Sequence, residues 1–318
     1  MKTVDLIIPV YNEEEVIDLF HEKLSAALLD LPYVISIHYI NDGSTDATAQ
    51  KLAGLTVTDP RVQVVELSRN FGHQAALTAG LDRVYGDYVI SLDGDGQHPP
   101  EMIPEMLKLA ENGYDIVLTE RQDSGSISAF KHWTSGMFYR LINRIGSTHI
   151  TPGAADFRLL SQQVVQALRE MPEYHRFLRG MVAWVGFKSV ILPYTPPARM
   201  AGRSKYSLGK MLRLSMDAVF SFSLVPLYIG ISLGVLMLLL ALVEMIYVLS
   251  FWVTGNISNL APGWSSLMFI ILLVGGFLMI SIGVIGVYIG YIFQEVKGRP
   301  VYLVREPADE ADNNPAAD

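Results

Sequence analysis

The stretch Ser91 to Glu101, SLDGDGQHPPE, holds the densest group of residues able to do chemistry. Asp93 and Asp95 lie one residue apart behind a short apolar run, Val89 to Leu92, that reads as a strand. Gln97 follows, and Pro99-Pro100 opens a helix. Carboxylates at a strand end, relaxed by Gly94 and Gly96, can close on one hard divalent cation. Oxygen donors in a chain with no cysteine point to Mg²⁺ or Mn²⁺, and Mg²⁺ leaves most of its coordination to water and substrate phosphates. On that reading Asp93, Asp95 and Gln97 form a metal-diphosphate site. A plainer reading uses the same residues as an acidic turn, with Asp95 and Gln97 capping the helix at Pro99.

Such a loop must be positioned by the elements around it. Val4 to Val10 is a continuous apolar run ending in Pro9-Val10-Tyr11-Asn12-Glu13-Glu14, and Glu13 to Leu29 reads as a helix. Val34 to Ile40 is the next strand, ending at Asn41-Asp42-Gly43-Ser44-Thr45-Asp46. Val62 to Leu67, Asp87 to Leu92 and Ile116 to Leu118 read as further strands, with a helix over Gln74 to Val84. Strands alternating with helices predict an α/β domain with a mostly parallel sheet. Ligands bind such sheets at the carboxyl ends of the strands. Tyr11 to Glu13, Asn41 to Asp46 and Asp93 to Gln97 each follow a strand, so together they predict one nucleotide crevice. Separately, Asp42-Gly43 would pass for a tight turn and Glu13 to Glu15 for an acidic helix start. No G-x-G-x-x-G follows the first strand, which argues against a dinucleotide fold.

Hydrophobicity is uneven along the chain. No charged residue occurs from Ala218 to Val243 or from Met245 to Gln294, and only Glu244 separates these runs. Each exceeds the roughly 20 apolar residues that span a bilayer. Two transmembrane helices are predicted, near Leu224 to Val253 and Ser265 to Phe293, joined by the Gly/Asn/Pro-rich turn Thr254 to Trp264. Arg199, Arg203, Lys205, Lys210 and Arg213 precede the first run, and Lys297, Arg299 and Arg305 follow the second. The positive-inside rule then places both termini in the cytoplasm. Leu208, Met211, Leu212, Ser215, Val219 and Phe222 recur at helical spacing and predict an amphipathic helix in the headgroup region. Gly230/Gly234 and Gly286/Gly290 are spaced for close helix packing. The expected organisation is a cytoplasmic domain over 1–206, an interfacial helix over 207–222, a two-helix membrane domain over 223–294 and a tail over 295–318 whose end is disordered. The net charge of -8 belongs to the soluble part and tail and leaves the basic collar suited to anionic lipid. A nucleic-acid partner is not expected, and neither is a signal peptide, since Met1-Lys2 runs straight into VDLIIPV.

PVYNEE, NDGSTD, DGDGQHPPE, ADFRLL and the basic R-x-A-G-x-S-K-Y resemble, in that order, the family 2 glycosyltransferases of the GT-A fold. Within that family the chain is most similar to the polyprenyl-phosphate glycosyltransferases, particularly the bactoprenol glucosyltransferases, with likeness also to dolichyl-phosphate mannose synthases and ArnC-like enzymes. The similarity covers Val4 to about Arg213, and the two spans match the bacterial members. One departure is Gly94-Asp95-Gly96, where many relatives carry Ala and Leu; the glycines are expected to loosen the loop.

The resemblance implies roles for individual residues. Pro9, Tyr11, Glu13 and Asp42 match positions that cradle the nucleotide base and ribose, and Asp93, Asp95 and Gln97 match metal and diphosphate ligands. Arg121 matches a substrate-side arginine, and Lys131 and Ser135 match residues near the acceptor phosphate. Arg203 and Lys205 match a basic loop that closes on phosphates. Asp156 matches the carboxylate beside the transferred sugar, where it is a base, a holder of a sugar hydroxyl, or a partner of Arg158. The implied activity is inverting transfer of a sugar, glucose first, from a UDP-sugar to undecaprenyl phosphate at the cytoplasmic face of a bacterial inner membrane. GDP-mannose or a UDP-aminopentose are the alternative donors. A nucleotide-sugar-binding membrane scaffold is the reading from outside enzymology. A homo-oligomer, specifically a tetramer, and a small membrane flippase are the expected partners.

Overall fold

The computed structural model describes residues 1–122, 154–171, 173–174, 176–195, 225–254 and 263–305. Lys131, Ser135, Arg203, Lys205, the amphipathic segment 207–222 and the tail 306–318 lie outside the described residues. In chain order the elements are β1 (Thr3–Val10), α1 (Ile17–Leu28), β2 (Val34–Asn41), α2 (Thr48–Thr58), β3 (Val62–Glu66), α3 (His73–Leu81) and β4 (Tyr88–Ser91). A single 3₁₀ turn (Pro100–Met102) leads into α4 (Ile103–Glu111), β5 (Ile116–Arg121), β6 (Ala154–Ser161), α5 (Gln162–Arg169), α6 (Leu178–Trp184) and β7 (Ser189–Tyr194). Two long helices complete the list, α7 (Val225–Thr254) and α8 (Trp264–Lys297).

The strands form one seven-stranded sheet in the order β3-β2-β1-β4-β6-β5-β7. β1, β2, β3 and β4 are mutually parallel, as alternating strands and helices require, whereas β6 runs antiparallel to both β4 and β5. From Val4 to Val10 every residue of β1 is buried, which is why its sequence is a continuous apolar run rather than an alternation. α1 covers this sheet with Ile17, Phe20, His21, Leu24 and Leu28, the one-face spacing of an amphipathic helix. The predicted helix start at Glu13 is four residues early. The amides of Glu13 and Glu14 donate instead to Thr48 Oγ1 and Asp46 Oδ2, and a turn from Glu13 O to the Val16 and Ile17 amides delays the helix. β5 is longer than its apolar run, so Arg121 sits on the strand end rather than after it.

The chain divides into two compact units, Met1–Ser215 with Arg299–Asp318, and Met216–Gly298. In the second unit, Gly230–Phe251 and Leu273–Lys297 are candidate membrane spans by length and composition. Their side chains are exposed and apolar, Leu238 and Met279 among them, as a lipid solvent would allow. Helix α8 outruns its predicted end at Phe293 and stops at Lys297, where Gly298 adopts the left-handed conformation of a helix C-terminus (φ 59°). The small-residue pairs are used unequally. A Cβ on Gly230 would lie 3.3 Å from Ser281 Oγ, a close helix contact, but among the described residues no such neighbour lies within 4 Å of Gly234, Gly286 or Gly290.

Beyond Gly298 the chain returns to the sheet. Leu67 and Val304 form an antiparallel bridge, the Ser68 amide donates to Leu303 O at 2.8 Å, and the Arg305 amide donates to Glu66 O at 2.7 Å. Tyr302 Oη donates to Asp82 Oδ2 (2.9 Å) and accepts from Arg83 Nη1 (2.7 Å), whose guanidinium lies over the tyrosine ring. β3 would otherwise be an open sheet edge, so this segment covers unpaired backbone groups.

Candidate active site

Parallel strands end in loops on one side of the sheet, and the first wall of the site is two such loops hydrogen-bonded together. After β1, Asn12 takes a positive φ of 53°, a conformation that asparagine tolerates better than most residues. Its amide donates to Ser44 Oγ (3.0 Å), and its Oδ1 accepts from the Thr45 amide (2.8 Å). Glu14 Oε2 accepts from the Ala47 amide at 2.8 Å, and Asn41 Oδ1 accepts from the Ser44 amide at 3.0 Å. The side chains of YNEE and NDGSTD therefore fasten each other's backbones.

Asp42 ties this wall to the loop before α3. Its carboxylate accepts from the Phe71 amide at 2.7 Å and the Gly72 amide at 2.9 Å. Burial pushes the Asp42 carboxyl up, although both amides oppose that shift. Gly43 makes the approach possible: at φ 65°, a Cβ there would lie 2.4 Å from the carbonyl carbon of Arg69. Pro9 is buried at the end of β1, and Tyr11 and Glu13 are half-buried in the loop that follows. The structure thus brings Pro9, Tyr11, Glu13 and Asp42 to one end of adjacent strands, with Asp42 holding the loop to its side.

The second wall starts at Asp93. Extending the antiparallel ladder in which Ser91 faces Arg158 places Asp93 opposite Asp156. Only an antiparallel strand puts its beginning at the carboxyl end of β4, so the reversal of β6 delivers Asp156 to the crevice. Ser91 Oγ fixes the register by donating to Asp156 O at 2.6 Å. At Gly94 the loop between Asp93 and Gln97 lies close against β1. A Cβ on Gly94 would meet Val10 Cγ1 at 2.9 Å, so an alanine there would require the Val10 side chain to shift.

Within the loop, Asp95 Oδ1 accepts from the Gln97 amide at 3.0 Å, the local turn of the plainer reading. Gln97 Oε1 accepts from Arg121 Nη1 at 3.1 Å, which brings the end of β5 to the loop. The Asp93 amide donates to His98 Nδ1 at 2.8 Å, so the His98 proton sits on Nε2, 3.7 Å from Asp93 Oδ2. His98 is buried and stacked on Phe157 of β6 (ring centroids 5.3 Å apart).

Asp156 is buried among cations. Arg158 Nη2 donates to Oδ1; Arg179 donates Nε to Oδ1 at 3.1 Å and Nη2 to Oδ2 at 2.9 Å; and His73 Nε2 lies 3.4 Å from Oδ2. Burial alone would raise the carboxyl, but the charge of Arg179, then His73 and Arg158, holds it well below the ordinary range. His73 Nε2 also lies 3.5 Å from Asp93 Oδ1. Burial opposes the charge on His73, yet Asp93 and Asp156 outweigh it and raise the imidazole to about 9. Gln74 Oε1 accepts from the Leu178 amide at 3.2 Å, joining the starts of α3 and α6 and so bringing His73 and Arg179 together.

The structure therefore unites Asp93, Asp95, Gln97, Arg121 and Asp156 of the residues named from sequence, and adds His73, His98 and Arg179. Sequence reasoning passed over these three: His73 and Arg179 stand at the starts of α3 and α6, far from the acidic loop in sequence, and His98, although within SLDGDGQHPPE, was overshadowed by the carboxylates beside it. The available signals were the histidine in DGDGQHPPE and N-F-G-H at a strand-to-helix junction.

The profile of Glycosyl transferase family 2 matches residues 5–169. The chain is 38% identical over 303 residues to an uncharacterised glycosyltransferase of Synechocystis, covering 95% of each chain. Against a prophage-derived bactoprenol glucosyl transferase of Shigella flexneri it is 38% identical over 306 residues, covering 95% of this chain and 97% of the relative. A prophage bactoprenol glucosyl transferase homologue of Escherichia coli is 39% identical over 305 residues, with 95% and 98% covered. The mixed sheet, the loops at its carboxyl ends and this full-length likeness agree: the chain belongs to glycosyl transferase family 2 and carries its GT-A fold.

Proposed function

We propose that the chain transfers glucose from UDP-glucose to polyprenyl phosphate at the cytoplasmic membrane face. One observation carries the reading: an acidic loop fit for a metal-bound diphosphate meets a cation-held carboxylate at the strand ends of a chain with two candidate spans. The full-length likeness to bactoprenol glucosyl transferases supports the sugar and the lipid acceptor.

A divalent ion suits the donor set. Asp93 Oδ1 is a buried oxygen with no hydrogen bond, and Asp95 stands two residues on. No cluster of three or more His, Cys, Asp or Glu side chains of metal-binding kind occurs among the described residues. Few protein ligands and many phosphate oxygens are what Mg²⁺ or Mn²⁺ prefers. Asp93 and Asp95 would hold such an ion, and its chemistry is to neutralise charge developing on the leaving diphosphate. Gln97, turned towards Arg121, would join it through that guanidinium, a bidentate partner for phosphate.

The acceptor phosphate has a second pKa of about 6, so at neutral pH it is already anionic and needs no general base. One of its oxygens would attack the anomeric carbon from the face opposite the diphosphate; the bond to the diphosphate oxygen breaks and its electron pair leaves with UDP, inverting the centre. Asp156, saturated by three cations, suits holding the sugar rather than taking a proton. Lys131, Ser135, Arg203 and Lys205 would gather the acceptor phosphate. Pro9, Tyr11, Glu13 and the Asp42-held loop would take the base and ribose. Basic residues flanking both spans support cytoplasmic termini, and the division 1–206, 207–222, 223–294 and 295–318 describes the working parts. Assembly as a homo-oligomer, a tetramer, and hand-over to a membrane flippase complete the proposal.

The test is transfer of label from UDP- and GDP-sugars to undecaprenyl phosphate by the purified chain, with Mg²⁺, Mn²⁺ or EDTA. Label in the organic phase from UDP-glucose, only with metal, is expected. Transfer from GDP-mannose or a UDP-aminopentose instead would replace the donor, and binding of nucleotide without any transfer would favour a scaffold.

A further inference from the structure

Among the described residues, His73 lies within ion-pair distance of both carboxylates that mark the two sides of the reaction. Its Nε2 is 3.5 Å from Asp93 Oδ1 and 3.4 Å from Asp156 Oδ2. Those aspartates are held differently. Asp156 is gripped by Arg158 and Arg179 as well, so it keeps its place without the imidazole. Asp93 Oδ1 accepts no hydrogen bond, and its other oxygen is 3.7 Å from His98 Nε2. The side chain of Asp93 thus lies between two imidazoles, and among the described residues His73 is within ion-pair distance of both it and Asp156.

Helix α3 does not depend on His73 for its existence. Residues Ala75 to Leu81 are buried, Thr78 Oγ1 donates to Gln74 O, and no side chain caps the helix start. The imidazole at that first position, within ion-pair distance of the Asp93 and Asp156 carboxylates, is not what makes the helix form.

We propose that His73 is a positioning residue of the transfer site, fixing the Asp93 carboxylate against the Asp156 cluster and so setting the separation of the diphosphate side from the sugar side. The inference rests on the transferase reading and adds to it a residue outside the groups assigned to the base and the acceptor. Partners that orient a metal-binding carboxylate typically change metal affinity or activity by about 10- to 100-fold when removed.

The test uses the full chain in detergent, as wild type, His73→Ala and His73→Gln. Mn²⁺ binding in the presence of UDP is measured by calorimetry, and transfer kinetics separate kcat from donor KM. His73→Ala is expected to weaken Mn²⁺ about 10-fold and to lower kcat by about 10- to 100-fold. Donor KM should stay within about threefold, the pattern of an interaction realised in the transition state. His73→Gln, with an N–H at similar reach, should recover part of both losses. Mn²⁺ affinity and kcat within about twofold of wild type in His73→Ala would overturn the proposal. So would equal losses of melting temperature, UDP affinity and kcat that glutamine does not mend, because those describe a folding defect. If the wild type binds UDP and Mn²⁺ but transfers nothing, the transferase reading falls while the metal-affinity comparison still judges His73. A wild type that binds no Mn²⁺ removes the positioning role outright.

Discussion

The two walls of the crevice are built by opposite means. The wall formed after β1 and β2 is a lattice of short hydrogen bonds in which neutral and acidic side chains hold backbone amides: Asn12 with Ser44 and Thr45, Glu14 with Ala47, and Asp42 with Phe71 and Gly72. Opposite it, Asp93 and Asp156 are held by charged side chains, His73, Arg158 and Arg179. A surface that recognises a nucleotide by shape wants a fixed backbone. A surface where charge moves during reaction wants fixed charges, because preorganised dipoles and ions need no reorganisation at that moment. Binding and chemistry should therefore separate when the walls are damaged one at a time.

The strongest test of that separation is Asp95→Ala. Loss of transfer by on the order of 10³-fold, about 4 kcal/mol of barrier, is expected with the melting temperature unchanged; label transfer and a thermal melt read the two arms. Retained turnover would remove the metal site.

Arg179→Ala comes next. Asp156 would stay buried with its main bidentate partner gone, and breaking one side of such a pair costs about 3 kcal/mol or more. The melt should fall and kcat with it, while UDP affinity in the surviving folded protein stays near wild type. Equal loss of UDP binding would mean that the walls are not independent.

Asp42→Ala attacks the other wall. It strips the acceptor from the Phe71 and Gly72 amides, about 1–3 kcal/mol for a buried hydrogen-bond defect. UDP affinity should drop more than kcat does, and calorimetry against kinetics decides. A kcat effect larger than the binding effect would reverse the assignment of the walls.

Smallest is a pair outside both walls. Arg61 bonds to Asp59, and with that hydrogen bond first among the causes Asp59 is lowered to about 2. A lowered carboxylate adds stability that is complete above its unfolded value and lost as pH falls through its folded one. The contribution, about 1–2 kcal/mol, should therefore disappear between about pH 4 and pH 2. Melting of wild type and Asp59→Asn over that window should converge at its acid end. Curves that stay parallel would show that the pair adds nothing.

How much of this was legible follows the same divide. The first wall reads directly, since Y-N-E-E and N-D-G-S-T-D are contiguous and asparagine, glycine, serine and threonine are the residues that build loops. The parallel half of the sheet and both long helices read from apolar runs. The second wall does not. Residues 73, 93, 156, 158 and 179 come from four separate segments, with only 156 and 158 sharing a strand, and they meet because β6 runs backwards and α6 is bonded to α3. The local pattern of β6, A-A-D-F-R-L-L-S, does not announce its direction. The close approach of Gly94 to β1 was equally hidden, because the steric demand comes from Val10 on another strand.

The return of residues 301–305 to the edge of β3 bears on how the molecule is made. β3 pairs only with β2 until that segment arrives, and the segment lies behind both apolar helices in the order of synthesis. The sheet is thus a discontinuous fold in which two hydrogen bonds, Ser68 to Leu303 and Arg305 to Glu66, come from a segment that lies beyond both apolar helices in sequence. Without that segment its edge is open to pairing with other chains, as unpaired strands are. Chains truncated before Val301 should accumulate as aggregates rather than as smaller active enzymes, because the edge of β3 would lose the segment that covers it.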